Sequence, residues 1–303
     1  MSSAPAPEIT RANPVKAFLK MVAIEHSVFA LPFAYLATLT AMRLNPADDG
    51  SWMRWDVLVL VTVAMVAART LAMAANRIID RHIDARNPRT ASRELVTGAV
   101  SLRTAYVGCA VSLVIFLGSA ALLNPLCLVL SPLAVAPLII YPYAKRFTDV
   151  PHAVLGLAQM VAPVGAWLAV TGTFDGAGPA IVLGFAVGLW IGAFDLIYAC
   201  QDSDFDREHG VRSTPARYGI AVALHASTIS HAITWLLLLW FGIWTEFGFF
   251  WWIGLAIVGV TLAWEHAIVK PHDLSKVNRA FFTANGLVAI VLFLVAALDL
   301  LFR

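Results

Sequence analysis

Charged residues are scarce in this chain. Asp, Glu, Lys and Arg make up only 13% of its 303 residues, against 60% hydrophobic residues, and the mean hydropathy is +0.77. Soluble domains carry about 25% charged residues, so this shortage excludes a soluble globular protein. It implies an integral membrane protein with many spans. Cysteine is also sparse: Cys109, Cys127 and Cys200 stand apart in apolar runs with no C-x-x-C spacing. That excludes a disulfide framework or a thiolate metal site, and leaves them as small core residues. The histidines show no H-x-x-x-H or H-E-x-x-H spacing, so neither zinc nor haem is expected. No low-complexity segment divides the chain. Residues 1–10 are polar and Pro/Ala-rich, without the apolar stretch of a signal peptide. Residues 1–14 are therefore expected to be a disordered cytoplasmic tail, and 15–303 one membrane domain. The net charge of +2 gives no reason to expect a nucleic-acid partner.

What is present is apolar sequence in lengths that span a bilayer, with ten Trp and seventeen Phe suited to the interfaces and the interior. A transmembrane helix needs about twenty mostly apolar residues. Nine candidates fall near 18–42, 57–79, 103–123, 125–143, 152–171, 179–200, 219–242, 247–268 and 280–301. The third and fourth are parted only by Leu123-Asn124-Pro125, which reads as a tight helical hairpin. With the N-terminus in the cytoplasm, nearly all of the 21 Lys and Arg lie on the inner side. Only Arg43, Arg54 and Arg303 fall outside, and Arg69 lies within the membrane. Moving the count by one helix mid-chain would destroy this asymmetry, so it supports both the count and the orientation. The expected fold is all-α: nine transmembrane helices in a single bundle, multi-pass in a membrane of bacterial inner type.

Two polar strips interrupt the apolar pattern. Asn76, Asp80 and Asp84 lie at i, i+4 and i+8, and share one helical face, with Arg69 seven residues earlier on about the same face. Asp195, Tyr198, Asp202 and Asp206, at i, i+3, i+7 and i+11, trace a second face. Both strips follow an apolar span and precede a basic loop. Carboxylates at the end of an apolar helix are costly unless paired. Two facing strips would repel unless a cation joined them. Mg²⁺ takes a few carboxylates together with phosphate oxygens and water. Two acid strips beside arginines and lysines therefore suit a diphosphate carried by Mg²⁺. A transporter would place its acids near the bilayer midplane at broken helices, not at one surface beside basic loops. A phosphotransferase acting on CDP-alcohols would carry D-G-x-x-A-R; the nearest match, Asp84-Ala85-Arg86, lacks the Gly.

These residues resemble a known family. Asn76-x3-Asp80-x3-Asp84 and Asp202-x3-Asp206 look like the two aspartate-rich motifs of the UbiA superfamily of intramembrane aromatic prenyltransferases. Tyr141-Pro142-Tyr143-Ala144-Lys145-Arg146 resembles the family's Tyr-x3-Lys motif. Arg89-Thr90 and Arg93 to Gly98 resemble the stretch after the first motif, although Val96 stands where many members have Pro. The resemblance runs from about residue 15 to the end. Two phrases, Phe29 to Tyr35 and Ile197 to Asp202 with Ser213 to Arg217, look like the 4-hydroxybenzoate polyprenyltransferase branch or its MqnP-like neighbour. The latter acts on 1,4-dihydroxy-6-naphthoate, and Cys200-Gln201 leans towards it.

The resemblance implies a central cavity opening near the cytoplasmic side, and Mg²⁺-dependent transfer of a polyprenyl group from an allylic diphosphate. The acceptor would be a ring carbon of a phenolic aromatic carboxylate, in quinone biosynthesis. It implies metal binding by Asn76, Asp80, Asp84, Asp202 and Asp206, and diphosphate binding by Lys145, Arg146, Arg81 and Arg93. Arg81 and Arg93 could instead be topology-setting charges against anionic lipid. Arg69 would hold the acceptor carboxylate, or form an internal salt bridge to Asp195. Tyr141 and Tyr198 could face a carbocation. His26 could steer the phenol or take the ring proton, or form a structural pair with Glu25.

Overall fold

The structure is a computed structural model describing residues 14–22, 31–46 and 50–302. Helices dominate it: α1 (Pro14–Met21), α2 (Leu31–Leu44), α3 (Trp55–Asp84), α4 (Glu94–Thr97), α5 (Leu102–Leu123), α6 (Pro125–Phe147), α7 (Pro151–Thr171) and α8 (Gly178–Ala199). After a 3₁₀ turn, Cys200–Asp202, come α9 (Ser203–His209), α10 (Thr214–Tyr218), α11 (Ile220–Trp244), α12 (Phe249–Ile268) and α13 (Val277–Leu301), which contains a π-helical turn at Ala280–Ala284. Among the described residues there is no β-strand, only an isolated bridge between Lys270 and Asp273.

Eight described helices are long and apolar enough to cross a membrane, where the sequence pattern predicts nine. The difference lies in the first span. Only α1 and the 14-residue α2 are described there, and residues 23–30 lie outside the described set, as do 1–13 of the expected tail. The expected hairpin break is where the pattern puts it. Asn124 caps α6 by accepting from the Cys127 amide at 2.9 Å, Pro125 opens that helix, and the Asn124 amide donates to the Leu168 carbonyl of α7 at 2.8 Å. Two spans run further than predicted. α3 stays helical to Asp84, ahead of the Asn87-Pro88 break, and Gly178–His209 is a continuous helical path through the 3₁₀ turn. Both acid strips therefore sit on helix, not in loops.

The bundle is arranged around α8. In its most apolar window 78% of the residues are buried, against 44% or less in the other spans, so α8 is the central helix. It packs against α7 on one side and α11 on the other. Peripheral helices present Val114, Leu122, Val129 and Leu133 outwards, as lipid-facing surfaces do. Lipid gives no hydrophobic drive for helices to associate, so close contact depends on small residues. Gly184, Gly188 and Gly192 repeat every four residues along α8, facing Met160, Gly156 and His152 of α7. At the far end, Asp299 of α13 accepts from the Phe250 and Trp251 amides at 3.2 and 2.7 Å and so caps α12.

A methyl group at Gly188 would lie 2.7 Å from the Gly156 carbonyl oxygen, where nothing can yield without parting the helices. Gly188→Ala should destabilise the protein by about 1–3 kcal/mol through overpacking. Thermal unfolding in detergent measures this; an unchanged midpoint would contradict the close α7–α8 approach.

Candidate active site

The first acid strip lies on the inner turns of α3. Asp80 and Asp84 are buried. Burial of a carboxylate demands a partner, and each has one from elsewhere in the chain. Asp80 receives Lys145 Nζ at 2.6 Å and Arg146 Nη1 at 3.2 Å, both from the last turn of α6, and Asn76 Nδ2 at 3.4 Å. Arg146 also donates through Nη2 to the Ile79 carbonyl at 2.8 Å. Asp84 receives Arg93 Nη1 at 2.5 Å.

The second strip continues α8. Asp202 Oδ1 accepts from Asn87 Nδ2 at 3.0 Å and from Arg89 Nε at 2.8 Å, while Arg89 Nη2 bonds its other oxygen. Arg89 also donates to the Tyr198 hydroxyl at 3.1 Å, with its guanidinium carbon 5.1 Å from the centre of that ring. Asp206 accepts from Ser213 Oγ at 2.7 Å. The segment after α3 thus crosses from one strip to the other: Arg93 holds Asp84, and Asn87 and Arg89 hold Asp202. Burial works against the charge on Arg89, but its bonds to Asp202 win and raise its pKa above the ordinary value.

Beyond this polar layer lies a cavity of about 740 Å³, walled by α3, α5, α6, α7, α8 and the π-turn of α13. Its lining is largely apolar. The polar groups that face it include Arg69, Asn76, Arg93, Tyr141, Asp195 and Tyr198, all but Arg93 on helices. A π-turn swings extra side chains out of the regular helical pattern, and here it brings Phe281 and Phe282 to the wall; Phe281 stacks near Tyr198, ring centres 4.6 Å apart.

Most residues of the two strips and the Lys145–Arg146 pair are brought together; two other predicted site residues are not. Arg81 donates to His82 at 3.0 Å and touches neither acid strip. An α3 residue one position past Asp80 is turned by about 100° from the acid face. His26 lies outside the described residues. The suggested Arg69–Asp195 salt bridge is not formed: Asp195 pairs with His152 Nδ1 at 2.7 Å, and Arg69 Nε is buried at the cavity wall with no partner. Cys200 and Gln201 do not line the cavity; they hydrogen-bond back to Leu196 and Tyr198. Asn87, His152 and Ser213 carry no spacing signal in the sequence, and Arg89 enters it only within the stretch after the first motif. Helical periodicity cannot reveal a loop residue that reaches another helix; the Asn-Pro break before Arg89 was the available signal.

A helical bundle with paired acids and bases at the mouth of an apolar cavity suits a membrane protein that takes a ligand with a charged head and an apolar tail. Residues 31–287 match the model of the UbiA prenyltransferase family. The chain is 31% identical over 275 residues to a protein of Chromohalobacter salexigens named 4-hydroxybenzoate octaprenyltransferase, covering 87% of this chain and 86% of that one. It is 32% identical over 224 residues to a protein of the same name from Pseudomonas aeruginosa, covering 74% and 75%. Among solved structures, a UbiA homologue from Aeropyrum pernix in its apo form superposes with a TM-score of 0.82 at 35% identity, over 91% of this chain and 98% of that one. A homologue from Archaeoglobus fulgidus bound to GPP and Mg²⁺ shares the fold, with a TM-score of 0.66 at 20% identity and 93% and 99% coverage. This chain belongs to the UbiA prenyltransferase family.

If Asn87 and Arg89 tether the α3–α5 segment to Asp202, the double variant Asn87→Ala/Arg89→Ala should free it. Limited trypsin digestion in detergent should then cut after Arg86 or Arg93 at least several-fold faster than in the parent. Equal cleavage rates would show that the tether does not hold the segment.

Proposed function

We propose that this chain transfers a polyprenyl group from an allylic polyprenyl diphosphate to a ring carbon of a phenolic aromatic carboxylate of the 4-hydroxybenzoate type. The observation that carries this reading is the pairing of a buried and a half-buried acid strip with bases at the polar end of a large apolar cavity. A diphosphate needs the bases, an isoprenoid tail needs the apolar walls, and both are joined in one site. The names of the curated relatives support the acceptor class. We further propose one membrane domain over 15–303 with nine crossings, a cytoplasmic N-terminus and an inner-membrane location, with the cavity mouth on the cytoplasmic side; the basic asymmetry of the loops supports this.

The donor set of Asn76, Asp80, Asp84, Asp202 and Asp206 is all hard oxygen, which fits Mg²⁺. When bound, the metal would neutralise diphosphate and stabilise charge on the leaving group. The acids are now held by Lys145, Arg146, Arg93 and Arg89. An incoming diphosphate offers those bases better partners, since guanidinium forks match phosphate oxygens, and Asp80, Asp84 and Asp202 would then be the carboxylates left to hold the cation. Lys145, Arg146 and Arg93 then grip the diphosphate. The allylic C–O bond breaks with its electron pair leaving on diphosphate. Tyr141, Tyr198 and Asp195 face the cationic carbon, and the apolar walls exclude water. A ring carbon supplies its π pair to the new C–C bond, and the ring proton leaves to restore aromaticity. Arg69, unpartnered at the wall, would take the acceptor carboxylate and orient the ring.

Asp80→Asn and Asp202→Asn should each abolish turnover while leaving the purified protein monodisperse. The assay uses Mg²⁺, a polyprenyl diphosphate and either 4-hydroxybenzoate or 1,4-dihydroxy-6-naphthoate, with products read by mass spectrometry. Full activity in either variant, or turnover in EDTA, would sink the diphosphate reading. Product from the naphthoate alone would move the acceptor to the neighbouring branch.

Arg69→Ala should raise the KM for the acceptor roughly 10-fold or more, as loss of a charged hydrogen bond does, with little change for the donor. Equal changes in both values would remove Arg69 from the acceptor.

A further inference from the structure

No histidine metal pattern is visible in the chain order, yet packing makes one. His231 of α11 and Glu265 of α12 are 2% and 0% exposed, and His266 lies half-buried beside them. His231 Nδ1 is 2.9 Å from His266 Nε2 and 3.5 Å from Glu265 Oε2, and one donor atom from each residue fits within a span of 4.8 Å. Both carboxylate oxygens of Glu265 are buried with no hydrogen-bond partner. None of the three residues lines the active-site cavity. The cluster stands behind α8, on the far side of Trp190.

The outer partners of the imidazoles favour tautomers whose inner nitrogens are lone pairs. Thr228 Oγ1 donates its own proton to the Leu224 carbonyl at 2.9 Å, so it can only accept from His266 Nδ1–H, 3.2 Å away. His231 Nε2–H donates to the Trp190 carbonyl at 3.4 Å. With both rings neutral and those outer protons in place, His231 Nδ1 and His266 Nε2 face each other as lone pairs 2.9 Å apart, beside a carboxylate with no hydrogen-bond partner. Three lone-pair donors converge on one point with no donor to meet them. Such an arrangement is costly in the interior unless a cation occupies it. Oriented imidazoles with their outer N–H groups bonded to oxygens are also the usual support of metal ligands.

We propose that His231, Glu265 and His266 bind one zinc-type divalent cation, which clamps α11 to α12. Tetrahedral zinc with bonds near 2.0–2.1 Å sets its ligand atoms roughly 3.3–3.4 Å apart, between the 2.9 and 3.5 Å seen here. Two imidazoles with one carboxylate select a first-row transition ion, while Mg²⁺ prefers the all-oxygen strips of the active site. The two sites would therefore sort their metals by donor chemistry. A single bridging proton is the rival occupant: it would join two of the three donors and leave the third unmet.

The test is elemental analysis of the full-length protein, purified in detergent, equilibrated with ZnCl₂ and then desalted. The parent should retain about one zinc per chain, with three protein ligands and the fourth position left to water. Asp80→Asn should retain it too, which separates this cluster from the active site, while Glu265→Gln and His266→Ala should both lose it. Replacing zinc with Co²⁺ should give the visible absorption of a tetrahedral site in the parent alone. ZnCl₂ should raise the melting temperature of the parent and not of the two variants. A parent that holds no zinc and gives no Co²⁺ spectrum would overturn the proposal and favour the proton. Zinc retained by both variants would also overturn it, pointing to Cys109 or Cys127. Should Glu265→Gln fail to fold, His266→Ala, altered at the edge of the cluster, and the Co²⁺ spectrum of the parent still decide.

Discussion

A carboxylate in a lipid-embedded bundle must be paired, and much of this molecule follows from that requirement. Asp80, Asp84, Asp202 and Asp206 are held by side chains from three separate segments: the end of α6, the α3–α5 segment (which supplies Arg93 and Arg89) and the stretch before α10. Each pairing fixes where a segment runs. The basic segments between the helices are thus also the covers of the acids. Electrostatic pairing of this kind costs desolvation, and buried ion pairs are weak evidence for stability alone. Their value here is positional. They hold four acids in register at one membrane surface.

Such a layer is charge-balanced but not inert. Its acids are paired with guanidinium and ammonium groups, the groups that a diphosphate attracts. Arg89 illustrates the point. It bridges Asp202, Tyr198 and its own segment, and stays accessible enough to be drawn away. The same residues that close the site in the absence of ligand can therefore close over a ligand.

Much of this was legible in the chain. The i, i+4 and i, i+7 spacings of the acids put each strip on one face, and the excess of basic residues placed both at one surface. The Leu123-Asn124-Pro125 break is where α5 ends and α6 begins, because Asn124 caps and Pro125 can open a helix. What was hidden depends on tertiary packing. Period and propensity say nothing about which base reaches which acid, so Asp195 was offered to Arg69 and is taken by His152. The His231–Glu265–His266 cluster was hidden for the same reason. Its members sit on two antiparallel neighbours, and no spacing within one helix announces a site shared between two. Arg81, adjacent to an acid in sequence, bonds His82 and is turned about 100° from the acid face.

The glycines of α8 connect packing to chemistry. Gly192 lies against the His152 carbonyl, three residues before Asp195, the carboxylate that His152 holds. A side chain at that position would part α7 from α8 at the level where the cavity meets its polar layer. Close approach is therefore a condition of the His152–Asp195 bond at 2.7 Å, not only of helix association. Because α8 is also the most buried span, any displacement would carry Tyr198 and Asp202 with it. The cavity wall, the second acid strip and the contact with α11 all lie on one rigid rod. A small-residue stripe, usually read as a device for stability, here also sets the distance between Asp195 on α8 and His152 on α7.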